Sequence, residues 1–138
     1  YKSLGSLTTL YITDGYEYLH PQMGNMAVIL DNLIYDKKIK PAMAIFIDHR
    51  EPVNRGNNRR MNELAMNTRY LDFFVQEFIP AIETQYPAKS EAMNRVIMGT
   101  SMGGLAGPLS SVWLAFNRPP FTPALRSIPY VQTRPIRK

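Results

Sequence analysis

Arg95-Val96-Ile97-Met98-Gly99-Thr100-Ser101-Met102-Gly103-Gly104 is the stretch that decides how this chain folds. Arg95–Met98 reads as a short strand, and a Gly-rich turn follows at once. Gly99 and Gly103 flank Ser101 in the pattern G-x-S-x-G, the nucleophile elbow. The spacing has a steric reason. A serine lifted off the end of a strand into a helix sits on a sharp turn with strained backbone angles. Side chains two residues to either side would collide with the neighbouring strand and helix, so glycine is wanted at both. The helix starting there turns its first N–H groups toward the serine, which makes the N–H of Met102 a candidate oxyanion donor. The bland alternative is a Gly/Ser turn with no chemistry; the strand before it and the small residues after it favour the elbow.

Working outward, the segment before the elbow alternates between strand and helix signals. Thr8–Thr13 is rich in β-formers and runs into Asp14-Gly15, a turn signal. Met26, Ile29, Leu30, Leu33 and Ile34 fall at helical spacing, which predicts a helix over 25–37. Ala42–Ile47 is an unbroken apolar run, the pattern of a strand buried on both faces. Glu51–Arg60 reads as a polar loop. A helix is predicted over 62–85, with Leu71, Phe74, Val75, Phe78, Ile79 and Ile82 on one face and a kink or break at Pro80. The order β, α, β, loop, α, β, turn, α predicts an α/β fold, a mostly parallel sheet with helices on both faces.

After Gly107 the composition shifts. Six of the 11 prolines lie in 108–138, and that segment holds Arg118, Arg126, Arg134, Arg137 and Lys138 with no acid. The formal charge of +5 therefore belongs to this tail, because residues before it carry equal numbers of basic and acidic groups. Its cations are spread out rather than clustered, which argues against a nucleic-acid partner. Two parts are expected: a partial catalytic-type domain over 1–107, and a proline-rich basic tail over 108–138 that is disordered or aberrant.

Composition removes several classes. There is no cysteine, so no disulfide, thiolate metal site or Cys nucleophile. No apolar run approaches the roughly 18–20 residues of a membrane helix, and no membrane partner is expected. Two histidines, His20 and His49, with no spaced carboxylate cluster do not make a metal site. No phosphate-binding Gly-rich motif is present. No secretory signal is visible, but the chain opens on Tyr1, so an incomplete N-terminus is expected and compartment stays open between cytoplasm and periplasm.

Ser101 needs a base. With this elbow the triad order is Ser, then Asp or Glu, then His, and after Ser101 there is no Asp, Glu or His. His20 and His49 lie upstream and read as loop histidines rather than as the base. The second oxyanion donor is expected from the loop after an earlier strand, at the N–H of Gly15 or Tyr16, against the alternative of a plain turn. Arg55, Arg59 and Arg60 read as solvating their loop, with an anionic-substrate role as the competing reading.

Taken together, Tyr11–Gly15 (YITDG), Ile45–Asp48 (IFID), Arg60–Leu64 (RMNEL), Phe78–Glu83 (FIPAIE) and Gly99–Gly104 (GTSMGG) resemble the "Putative esterase" family, the group of esterase D and the enterochelin (siderophore) esterases. The R-x-x-E-L segment before a long helix is closer to the enterochelin-esterase-like branch. The resemblance covers residues 8–106 and implies the α/β-hydrolase fold, here its N-terminal half through the elbow. It implies a serine carboxylic-ester hydrolase with a small-molecule ester substrate, siderophore esters among the candidates, and no metal or organic cofactor. Ser101 would form the acyl-serine, and Met102 with the Asp14-Gly15 loop would hold the oxyanion. Family domains are longer and carry an acid and a histidine after the elbow. This chain is therefore expected to be impaired in catalysis, or to be a non-catalytic remnant acting as a binding module. The ester, the choice between hydrolase and acyltransferase, and the oligomeric state are not legible.

Overall fold

The computed structural model describes residues 5–105 and 131–132. The tail over 108–138 therefore lies outside the described residues, except for its strand at Val131–Gln132. Three strands form the centre: β1 (Thr8–Ile12), β2 (Ala42–Ile47) and β3 (Arg95–Met98). β1 lies in the middle, parallel to both neighbours, and β4 (Val131–Gln132) pairs antiparallel with the far side of β2. Ile12 is level with Phe46 and with Met98. The carboxyl ends of the three parallel strands consequently reach one edge of the sheet together, where ligands bind in open α/β sheets.

The sheet is wound on both faces, as the alternation of signals requires. Between β1 and β2 run α1 (Gly15–Leu19) and α2 (Met26–Tyr35). Between β2 and β3 run α3 (Arg60–Leu64), α4 (Thr68–Phe73) and α5 (Ile79–Gln85), with a π turn at Phe74–Phe78 joining the last two. Side chains alternate along the strands. Tyr11, Met43, Ile45 and Ile47 pack with Phe74, Val75, Phe78, Ile79 and Ile82 on one face. Ile12, Ala44 and Phe46 pack with Leu30 on the other, joined by Leu10, Tyr18, Leu19 and Met26. Every residue of the expected 71–82 stripe is buried. On α2 only Leu30 of the expected face is buried, and Ile29 is 44% exposed.

The long helix differs from its expected form in two ways. It divides at Ala65–Asn67 rather than at Pro80. Met66 adopts φ 53, and the Asn67 side chain accepts hydrogen bonds from the N–H groups of Arg69 and Tyr70, capping a new helix at Thr68. Pro80, by contrast, is accommodated. It falls in the first turn of α5, immediately after the π turn, where the N–H of Ile79 reaches back to Phe74 O. The wider turn shifts the hydrogen-bond ladder at the place where a proline cannot donate. The same turn stacks Phe74 on Phe78, with ring centroids 5.6 Å apart, and sets both rings edge-on to Tyr11. The segment after β1 also differs: the chain enters α1 directly at Gly15 instead of continuing as a loop.

Candidate active site

Ser101 follows β3 by three residues and has φ 53, the left-handed region that a side chain rarely occupies. Residues 102–105 are helical, so the serine stands at a strand-to-helix corner. The two flanking glycines are there because backbone approaches closely. A Cβ on Gly99 would overlap Thr13 Oγ1 and lie 2.6 Å from the Gly103 carbonyl carbon; one on Gly103 would overlap the same hydroxyl and come 3.1 Å from Asp14 Oδ2. Thr13 is thus the wedge inside the corner. It is 3% exposed, and its N–H and hydroxyl both donate to Met98 O, at 3.0 and 3.3 Å.

Asp14 and the first turn of α1 supply the facing wall. Asp14 has φ 55 and is 6% exposed. Gly15 is buried with its Cα against the backbone of β2, where a Cβ would lie 2.6 Å from Ile47 N. Tyr16 is 41% exposed. The N–H groups of Gly15, Tyr16 and Met102 make no hydrogen bond among the described residues, whereas Glu17 and Tyr18 both donate to Asp14 O.

Two arginines of the 50–60 segment, Arg60 and Arg50, touch this wall. Arg60 forms a bidentate pair with Asp14, at 2.5 and 2.9 Å, and its Nη2 also donates to Thr100 O at 3.3 Å. Arg50 grips Asp48 through Nε and Nη2 at 2.8 and 2.6 Å, and its guanidinium lies 3.5 Å above the Tyr16 ring. Arg55 adds a third contact to Asp48 at 2.8 Å. Burial on its own pushes the Asp48 carboxyl up; the hydrogen bonds from Arg50 and the charges of Arg50 and Arg55 outweigh it and hold the group below the usual carboxylate value. Arg59 pairs with Glu63 at 3.2 Å. The solvated-loop reading is corrected for Arg60, whose guanidinium is fixed on Asp14, whereas Arg55 and Arg59 stay 52% and 39% exposed while pairing with the nearby Asp48 and Glu63.

The histidines have other partners. His49 is 3% exposed, its Nδ1 lies 2.6 Å from Glu63 Oε2, and its ring packs 6.0 Å from Tyr70 beneath α4. Its Nε2 has no partner among the described residues. Burial first, and the charge of Glu63 second, push the Tyr70 hydroxyl well above its ordinary range. His20 accepts from Gln22 N–H through Nδ1 and faces Tyr16 at 5.8 Å. No hydrogen bond joins either ring to Ser101. Sequence reasoning did not single out Thr13, and it named Arg60 without its contact to Asp14. The R-x-x-E-L segment marked Arg60, but its partner Asp14 lies 46 residues away.

A parallel sheet wound on both faces, with a positive-φ serine at the end of a strand, defines a protein of the α/β-hydrolase type. A family model described as "Putative esterase" matches residues 1–131, and the chain belongs to that family. It is 30% identical over 101 residues to an endo-1,4-beta-xylanase/feruloyl esterase of Xylanibacter ruminicola; the match covers 70% of this chain and 13% of that relative, so the chain spans a small part of the curated protein. No solved structure matches it. Among the described residues no helix is long and apolar enough to cross a membrane.

Proposed function

We propose that this site belongs to a serine carboxylic-ester hydrolase in which Ser101 attacks the ester carbonyl. The bond from carbonyl carbon to alkoxy oxygen breaks, leaving an acyl-serine that water then cleaves. The observation that carries the reading is the φ of 53 at Ser101, held between two glycines whose Cβ positions are already filled by Thr13 and the turn itself. Strain of that kind costs about 1–3 kcal/mol and persists where surroundings enforce it, typically at functional sites. The oxyanion would be held by the N–H of Met102 and by that of Gly15 or Tyr16.

The substrate proposed is an ester of an aromatic acid. The partly exposed Tyr16 ring in the first turn of α1 supports this, as does the feruloyl esterase named in the relative. Residues 102–138 hold no acid or histidine, so that segment offers Ser101 no base in the ordinary order. A general base is worth about 10²–10⁴ in rate, and the chain by itself should be slow by that factor.

The test is exposure of the whole chain to an alkyl fluorophosphonate, with peptide mapping of the adducts, in wild type and Ser101→Ala. Slow labelling that maps to Ser101, disappears in Ser101→Ala and accelerates with added imidazole supports an unassisted nucleophile. Adducts on other residues with none at Ser101 sink the acyl-serine reading and leave a non-catalytic remnant. Acylation by a 4-nitrophenyl ester of a hydroxycinnamic acid should then exceed that by the acetate; the reverse order removes the aromatic preference.

A further inference from the structure

We infer that Arg60 is the positioning residue that sets the candidate oxyanion loop in register with the serine turn. The inference rests on reading Ser101 as the nucleophile, but its geometry stands apart from any reaction. Two segments must be held at a fixed separation for an oxyanion to be shared between them: Asp14–Tyr16 after β1, and Thr100–Met102 after β3. Each contains a residue forced to positive φ, Asp14 at 55 and Ser101 at 53. The β1–β3 ladder stops at Ile12 and Met98, and the last backbone bond between the segments is Thr13 N–H to Met98 O. Beyond it the pairing of the two backbones has ended.

One guanidinium replaces it. Arg60 donates two parallel bonds to the Asp14 carboxylate, and Nη2 reaches on to the carbonyl of Thr100, the residue before Ser101. The carboxylate lies next to Gly103 as well, since a Cβ there would be 3.1 Å from Asp14 Oδ2. Asp14 thus sits between α3 and the helical residues after the elbow, and it is 6% exposed. A planar fork can hold a carboxylate with two N–H groups and keep others for a carbonyl; an ammonium cannot span both at fixed angles. The role is positional: Arg60 sets where the N–H groups of Gly15 and Tyr16 stand relative to Ser101 Oγ.

Amide hydrogen exchange of the full chain, read by peptide mass spectrometry, tests this in wild type, Arg60→Met, Arg60→Lys and Asp14→Asn. In Arg60→Met and Asp14→Asn, peptides covering 13–20 and 99–105 should both exchange faster by about 10–100-fold, the worth of a charge-assisted hydrogen bond, while 68–85 stays as in wild type. Arg60→Lys should keep 13–20 near wild type and release 99–105. Should Arg60→Met fail to fold, the lysine variant still decides: wild-type exchange in both segments overturns the clamp. Loosening of only one segment in both Arg60→Met and Asp14→Asn also overturns it. In the fluorophosphonate assay, Arg60→Lys should lower the limiting rate of phosphonylation and leave the half-saturating reagent concentration unchanged; a change in the latter alone makes Arg60 a reagent-binding residue instead. If Ser101 is labelled in no variant, the acyl-serine reading falls while the exchange data still settle the clamp.

Discussion

β2 and β3 flank the same central strand and are treated very differently. Five of the six residues of β2 are buried, whereas none of the four in β3 is, and Val96 is 45% exposed. The first is sealed by helices on both faces and carries β4 on its far side. The second is covered lightly, and the serine turn grows from it. Among the described residues the apolar burial therefore lies around β1, β2, α4 and α5, and the positive-φ turn is fastened to that body by Thr13, Asp14 and Arg60. Such a division lets a turn hold an unfavourable φ without weakening the core, because the forces restraining it are polar contacts to the next loop.

The sharpest test of the contrast is a pair of truncations. Phe78→Ala, at 2% exposure in the aromatic stack under α5, should cost about 3–5 kcal/mol, enough to unfold much of the population. Val96→Ala should stay within about 0.5–1 kcal/mol, as for a substitution outside the core. Urea midpoints read by circular dichroism give both, and equal losses would show that β3 shares the core after all.

Next in size is Gly103→Ala. Its methyl group would overlap Thr13, and the expected loss is about 1–3 kcal/mol from overpacking. Pairing it with Thr13→Ala should return part of that loss in thermal melts. Independent, additive effects would separate the wedge from the corner.

Ser101→Gly should act in the opposite direction. Glycine tolerates positive φ, while its added freedom in the unfolded chain offsets part of the gain, so a net stabilisation of about 0.5–1 kcal/mol is expected. A melting temperature that falls would mean that the turn is not strained in the folded chain.

The smallest effect concerns acid. Asp48 is held below its ordinary pKa in the folded protein, so its contribution is full above the unfolded carboxylate value and is lost as pH falls through the lower, folded one. Asp48→Asn should therefore differ from wild type in urea midpoint at neutral pH and converge on it below pH of about 4. A difference that is the same at pH 3 and pH 7 would rule out this linkage.

How much of this was readable from the chain depended on range. Ala42–Ile47 and Arg95–Met98 were legible to the residue, because an unbroken apolar run and a Gly-bounded β segment are local patterns. The stripe from Leu71 to Ile82 was legible because a helix repeats its face every turn. The placement of the helix break was not. Pro80 carried the obvious signal, but the π turn before it absorbed the missing donor, and the division fell at Asn67, whose capping depends on which helix ends win in the packed structure. Arg60 was misread for a related reason: Glu51 and Glu63 are the carboxylates near it along the sequence, but the segment between β2 and β3 carries it to Asp14, 46 residues away.

The sequence by itself determined the α/β order of elements, the two-sided core and the serine corner, because strand propensity, helical periodicity and glycine sterics act over a few residues. Tertiary structure alone decided that Thr13 fills the space inside that corner, that His49 is committed to Glu63, and that Arg60 ties Asp14 to Thr100. Those contacts join residues far apart along the chain, and their partners are chosen by the parallel register of β1, β2 and β3 rather than by any local preference.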